Sequence, residues 1–183
     1  MKKLKIVGIT VGAVIVIVII AMIILVISIE NKINSPQGDA EVILQGTHSN
    51  SKKAIVVFQP SMFGNTNTIA GEIGRGLNES GYEVTINHPG EHLSADLSSY
   101  EVIFFGSPIY AGQISSVLKE YMQEVSFSDN SKVILFITGL LEENELYRMD
   151  DIPQNDILYA KVKFFANESG FIDAFYYANN IVY

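Results

Sequence analysis

The sequence predicts an α/β domain, a doubly wound parallel five-stranded sheet, preceded by one transmembrane helix. Two observations carry this expectation. From Lys53 onward, short continuous apolar runs alternate with stretches of helical spacing, the pattern of buried parallel strands joined by helices. Ahead of them, "IVGITVGAVIVIVIIAMIILVISI" runs 24 residues from Ile6 to Ile29 without one charge.

At about 1.5 Å per residue that run spans roughly 36 Å, enough for a hydrocarbon core of about 30 Å with some tilt. A signal peptide has a shorter apolar core and a small-residue cleavage site, so residues 1–29 read as an uncleaved anchor. Gly8 and Gly12 have the GxxxG spacing of a helix-pairing face. Lys2, Lys3 and Lys5 precede the span, which by the positive-inside bias keeps the N-terminus cytoplasmic and sends the rest outside. Residues 30–52 mix polar and turn-forming types around a short apolar patch at Val42–Leu44, and read as a linker with a strand-like segment that docks.

The domain is expected over 53–183. "AIVVF" (54–58) is a strand covered on both faces. Ile69, Ala70, Ile73 and Leu77 then give helical spacing, stopped at "ESGY" with Gly81 as C-terminal cap. "YEVTI" (82–86) alternates like a strand, and "EVIFFGS" (101–107) is a further buried one. Ile114, Val117, Leu118, Tyr121, Met122 and Val125 recur as one apolar helix face. "KVILFIT" (132–138) and "KVKFFAN" (161–167) complete the strands, leaving 16 residues to Tyr183. That remainder, with "FIDAFYYANNIV", is expected to form a short, poorly capped helix or none. In the second case apolar surface is left for a partner, a second copy or the membrane.

Composition narrows the chemistry. The chain has no cysteine, so disulfides, thiolate catalysis and Cys-based metal sites are excluded. Its three histidines, His48, His88 and His92, lack a metal-binding spacing, and no metal is expected. Four lysines against Glu30 give residues 1–32 a formal +3, so the remaining residues carry −11 of the net −8. Such a domain repels nucleic acid and favours basic partners, unless the acidity only keeps it soluble.

In doubly wound sheets ligands sit beyond the carboxyl ends of the strands. Three loops leave strand ends here: "QPSMFGNTNT", "GSPIYAGQ" and "TGLLEEN". The first enters a helix N-terminus, where free N–H groups and the helix dipole suit an anion. It has no lysine for a nucleotide phosphate chain, since no Lys or Arg occurs between Ala54 and Gly74, and the pattern GxGxxG is missing. A neutral cradle suits a single phosphate monoester. The structural alternative is a turn at Gly64 and Asn65 with Thr66 as helix cap. The second loop puts Tyr110 on a turn between Gly106 and Gly112, where it stacks on a flat ring or packs under its own loop.

Together these segments resemble the flavodoxin family. "AIVVFQPSMFGNTNTIAGEIGRGL" is similar to its first strand, phosphate loop and first helix, and "YEVIFFGSPIYAGQISSVLKEYM" to its third strand, flavin-edge loop and third helix. The resemblance covers about residues 53–167 and implies a flavodoxin-like sheet holding noncovalent FMN. The phosphate loop would be Ser61, Met62, Phe63, Gly64, Asn65 and Thr66. Ser107, Pro108, Ile109, Tyr110 and Gly112 would line the ring, with Tyr110 stacking, and Thr138, Gly139 and Leu140 would close the far side. No protein acid, base or nucleophile is needed, because the flavin carries the electrons. An acidic surround and aromatic stacking would make the reduced form a stronger donor.

The sequence departs from the family at several places. Phe63 stands where many members have threonine, Pro60 removes a backbone donor, and there is no tryptophan. A second stacking group would have to come from Leu140 or Tyr147 of the third loop, between which the sequence does not choose. Anchor and resemblance together imply a membrane-anchored flavodoxin-like electron carrier whose partner is a redox protein or a quinone. The alternatives are an enzyme resembling menaquinone-dependent protoporphyrinogen oxidase and a degenerate flavodoxin fold acting as an interaction module. Domains that bind cytoplasmic cofactors are usually cytoplasmic, which opposes the outside placement read from the lysines. "NES" at Asn78 and Asn167 fits the glycosylation sequon.

Overall fold

The computed structural model describes residues 2–48, 50–110, 112–140, 145–150 and 158–181. The chain separates into two compact units, 1–33 and 34–183. The first is a single helix, α1 (Lys2–Ile33). Its stretch Val11–Ser28 has a mean hydropathy of 3.4 and is long and apolar enough to cross a membrane.

The second unit is built on a six-stranded sheet. Its elements in chain order are β1 (Val42–Leu44), β2 (Lys53–Phe58), α2 (Asn65–Glu79), β3 (Glu83–Asn87), β4 (Val102–Pro108), α3 (Ser116–Glu124), β5 (Lys132–Gly139), a 3-10 turn (Leu146–Met149), β6 (Leu158–Phe165) and α4 (Glu168–Asn180). Their order across the sheet is β1-β3-β2-β4-β5-β6. The five expected strands run parallel. The sixth corrects the expected count: the patch at Val42–Leu44 pairs antiparallel with β3 through Val42↔Ile86 and Leu44↔Val84. Three residues are too few to show a period, so only the free edge of β3 decides that they form a strand.

Because side chains alternate along a strand, the sheet divides its apolar residues into two cores. On one face Val56, Phe104, Ile134, Phe136 and Phe164 pack with Ile69 and Ile73 of α2 and with Ala174 and Ala178 of α4. On the other, Ile55, Val57, Ile103, Phe105 and Leu135 pack with Leu118, Tyr121 and Met122 of α3. The connection from β3 to β4 has no helix, and Leu97, 1% exposed, fills the second core in its place.

Both ends of the expected helices have clear causes. Gly81 follows α2 at φ 94, and its N–H bonds Asn78 O at 2.9 Å. At the C-terminus the helix is present, 13 residues long. The expectation of poor capping is corrected, because Asn167 Oδ1 accepts the Gly170 N–H at 3.0 Å. The Asn78 amide donates to Gln45 O at 2.8 Å and to Tyr82 O at 2.9 Å. Both sequon asparagines are thus engaged in shaping the chain.

Candidate functional site

Strands β2, β4 and β5 are neighbours in the sheet, so the three loops at their carboxyl ends converge. Sequence order reverses beside β2, which pairs with β3 on one side and β4 on the other. This is the switch point where a crevice opens in folds of this class.

The first loop is shaped by its own polar atoms. Ser61 O accepts the Gly64 N–H at 3.2 Å, closing a turn, and Ser61 Oγ accepts the Thr66 N–H at 3.0 Å. Gly64 lies at φ 77, a left-handed conformation that costs glycine little, and forms the N-cap of α2. The Met62 N–H is also engaged, donating to the Tyr110 hydroxyl at 2.7 Å. The amides of Phe63 and Asn65 have no protein acceptor among the described residues. Two free N–H groups at the positive end of a 15-residue helix make a neutral anion cradle.

Thr66 does not cap the helix. It is fully buried, and its hydroxyl bonds the Thr138 hydroxyl at 2.6 Å, fastening α2 to the end of β5. Phe63 is 79% exposed, at the rim of the crevice.

In the second loop Tyr110 and Gln113 exchange both backbone bonds, at 3.1 and 2.9 Å, across a turn that has Gly112 at φ 75. A Cβ at Gly112 would lie 2.7 Å from the Arg148 guanidinium. Ser107 is 1% exposed. Its hydroxyl accepts the Ser115 N–H at 2.9 Å and donates to Pro108 O at 2.8 Å, so it builds the loop from beneath. Ile109 N–H donates to Thr138 O at 3.0 Å, joining this loop to β5.

The third loop contributes Gly139 and Leu140, the latter 75% exposed. Its residues 141–144 lie outside the described set. Tyr147 is 56% exposed beneath the Arg148 guanidinium, 4.5 Å from its ring centre, and is not part of the crevice wall.

Between the loops lies a cavity of about 410 Å³. Of the residues anticipated from sequence, Ser61, Phe63, Asn65, Pro108, Ile109, Tyr110, Gly112, Thr138, Gly139 and Leu140 line it. Met62, Gly64, Thr66 and Ser107 are not in its lining; their hydrogen bonds hold the loops in place. Two lining residues, Glu145 and Ala166, escaped sequence reasoning. The sequence signal for Glu145 is Lys161 and Lys163, which alternate with Val162 and Phe164 on β6 and call for acidic partners on that face.

The cavity volume falls in the ordinary range for a small-molecule site. Free amides at a helix start and an aromatic ring among apolar neighbours fit a ligand with one phosphate and a flat ring system. None of this wall is a nucleophile with an adjacent base, and no group of metal-binding side chains occurs among the described residues.

Comparison with known proteins agrees with this geometry. A family model described as a flavodoxin domain matches residues 56–173. A flavodoxin from the domain Archaea superposes with a TM-score of 0.54 at 17% identity, covering 70% of this chain and 95% of its own. The NAD(P)H:quinone oxidoreductase from Methanothermobacter marburgensis has a TM-score of 0.55 at 12% identity, covering 72% and 99%. The flavodiiron protein from Giardia intestinalis matches at 0.53 and 17% identity, covering 71% of this chain. Only 35% of that longer protein is spanned. No curated sequence matches. FMN is the cofactor of the flavodoxin family.

Proposed function

Because the chain belongs to the flavodoxin family, we propose that it is a membrane-anchored electron carrier holding FMN noncovalently in the cavity beyond β2, β4 and β5. The observation that carries this reading is the closure of one cavity by the first and second loops, joined through the Met62–Tyr110 bond.

The Phe63 and Asn65 amides and the Ser61 hydroxyl would receive the phosphate, with the α2 dipole in place of a cation. Tyr110, Ile109 and Leu140 would enclose the ring, with Gly112 beside them in the wall. Thr66, Thr138 and Ser107 fix these loops from below, and Met62 and Gly64 shape the first of them. FMN, when bound, accepts and donates the electrons; the chain binds it and excludes water.

The electron partner is proposed to be a quinone or a basic redox protein. Asn34 and Ser35, the first residues of the second unit, are fastened to the start of α3 and to the residue after β2. Asn34 Oδ1 accepts the Ser116 N–H at 2.9 Å, and Ser35 O accepts from Gln59 Nε2 at 3.2 Å. The apolar helix, read as a membrane anchor, supports a lipid-dissolved quinone as acceptor. The three lysines ahead of the helix support a domain outside the cytoplasm.

The test is a visible spectrum of the full chain in detergent, followed by FMN titration. A flavin spectrum with quenched fluorescence is expected. A folded protein that binds no FMN overturns the reading. With flavin bound, reoxidation of the reduced protein in nanodiscs by a membrane-dissolved quinone separates that acceptor from a soluble basic protein.

A further inference from the structure

Glu145 supplies the one carboxyl group among the described residues lining the cavity. It is 7% exposed, and its Oε2 accepts a bond from Lys163 Nζ at 2.7 Å, with both side chains about nine-tenths buried. The same oxygen lies against the end of β5, where a Cβ at Gly139 would meet it at 3.0 Å. Lys163 stands on β6 beside Ile137 and is not part of the cavity wall. The pair is therefore oriented, with the carboxylate at the cavity and the ammonium behind it.

Stability alone does not account for such a pair. Taking two charges out of water costs several kcal/mol per ion, and apolar residues of the same volume are often equally stable. The adjacent Lys161–Asp150 pair, at 2.7 Å with Asp150 64% exposed, already fastens the 3-10 turn to β6. A carboxylate held in a cleft wall acts directly on any charge that a ligand in the cleft acquires.

We propose that Glu145, backed by Lys163, sets the reduction potential of the cofactor in this cavity, an inference that rests on the FMN reading. A flavin that takes up two electrons and one proton carries one negative charge. A carboxylate in the wall opposes that charge, and the ammonium behind it offsets only part of the effect. The oriented pair thus favours the oxidised form and makes the reduced form the stronger donor.

The test measures FMN affinity and midpoint potential by dithionite titration on the full chain in detergent, for wild type, E145Q and the double variant E145Q/K163Q. Gln keeps the shape and a hydrogen-bonding oxygen and loses the charge. In E145Q, reduced FMN is expected to bind on the order of tenfold tighter relative to oxidised FMN, a rise of about 30 mV for two electrons. The double variant removes the ammonium too and should lie between wild type and E145Q. It also keeps the test open if loss of the carboxylate alone unfolds E145Q. A pair that only staples the loop would weaken both redox forms equally and leave the potential unchanged, which overturns the inference while the FMN reading stands. A wild-type chain that binds no flavin overturns both.

Discussion

The Tyr110 hydroxyl accepts the Met62 backbone N–H at 2.7 Å, joining two loops that are 48 residues apart in sequence. The tyrosine therefore has two separable parts, a hydroxyl that ties the loops and a ring in the cavity wall.

Substitution should separate them. Y110F removes the tie and keeps the ring, so stability is expected to fall by about 0.5–1.5 kcal/mol with FMN affinity changed only a few-fold. Y110A removes the ring as well, and loss of about 1–3 kcal/mol of stacking should weaken FMN by roughly ten- to hundredfold. Fluorescence titration and urea unfolding of both variants check this.

Thr66 and Thr138 share a hydrogen bond of 2.6 Å inside the protein. T66V leaves the Thr138 hydroxyl buried without its partner, which is expected to cost about 1–3 kcal/mol. T66S keeps the hydroxyl and should recover most of that loss. A hydroxyl needed only by the ligand would instead leave the stability of both flavin-free variants unchanged.

Gly106 lies in β4 beneath the Phe136 ring, and a Cβ there would fall 1.9 Å from the ring's Cζ. Phe136 is 1% exposed and packs at a tilt between Phe104 and Phe164, so it has nowhere to turn. G106A is expected to destabilise by about 1–3 kcal/mol or more, read as a lower unfolding midpoint.

His88 gives the domain an acid-side sensitivity. Burial, with Phe58 5.0 Å from its ring, pushes the imidazole below its ordinary value of 6.5, although its bond to Gly38 O and the nearby Asp39 oppose the shift. The unfolded chain therefore binds this proton first. Stability attributable to His88 is constant above the ordinary value and falls as the pH drops from 6.5 toward the lower folded value, where it levels off. H88N, which cannot titrate, should flatten the unfolding-midpoint profile in that window.

Much of the fold was legible because its causes are local. "AIVVF", "EVIFFGS" and "KVILFIT" are dominated by apolar residues without a polar alternation, as strands with two covered faces must be. Of the six apolar residues expected on one helix face, Val117, Leu118, Tyr121 and Met122 lie in α3, while Ile114 and Val125 flank its ends; all six are buried. The loops could be picked out by their glycines and by the absence of cations. The docked strand at Val42–Leu44 could not be counted, because a three-residue patch has no period of its own.

The site was legible only in part. Ser61 and Thr66 both carry hydroxyls in the first loop, yet one faces the cavity and the other is turned to Thr138. Their neighbours in sequence do not distinguish them; the position of β5 does. Glu145 reads in the sequence as one more charge in an acidic loop, and only the fold puts Lys163, 18 residues later, behind it.

The long apolar helix, the alternation of strands and helices, and the uncharged loop at the start of α2 all follow from the periodicity or composition of neighbouring residues. Which of those residues share a cavity depends on packing between distant segments. The order β2-β4-β5 brings three distant strand ends together and turns Tyr110 toward Met62, while β6 beside β5 puts Lys163 against Glu145. A charge in a solvated loop costs little, whereas the same charge beside a closed wall must be paired, and only packing distinguishes the two environments.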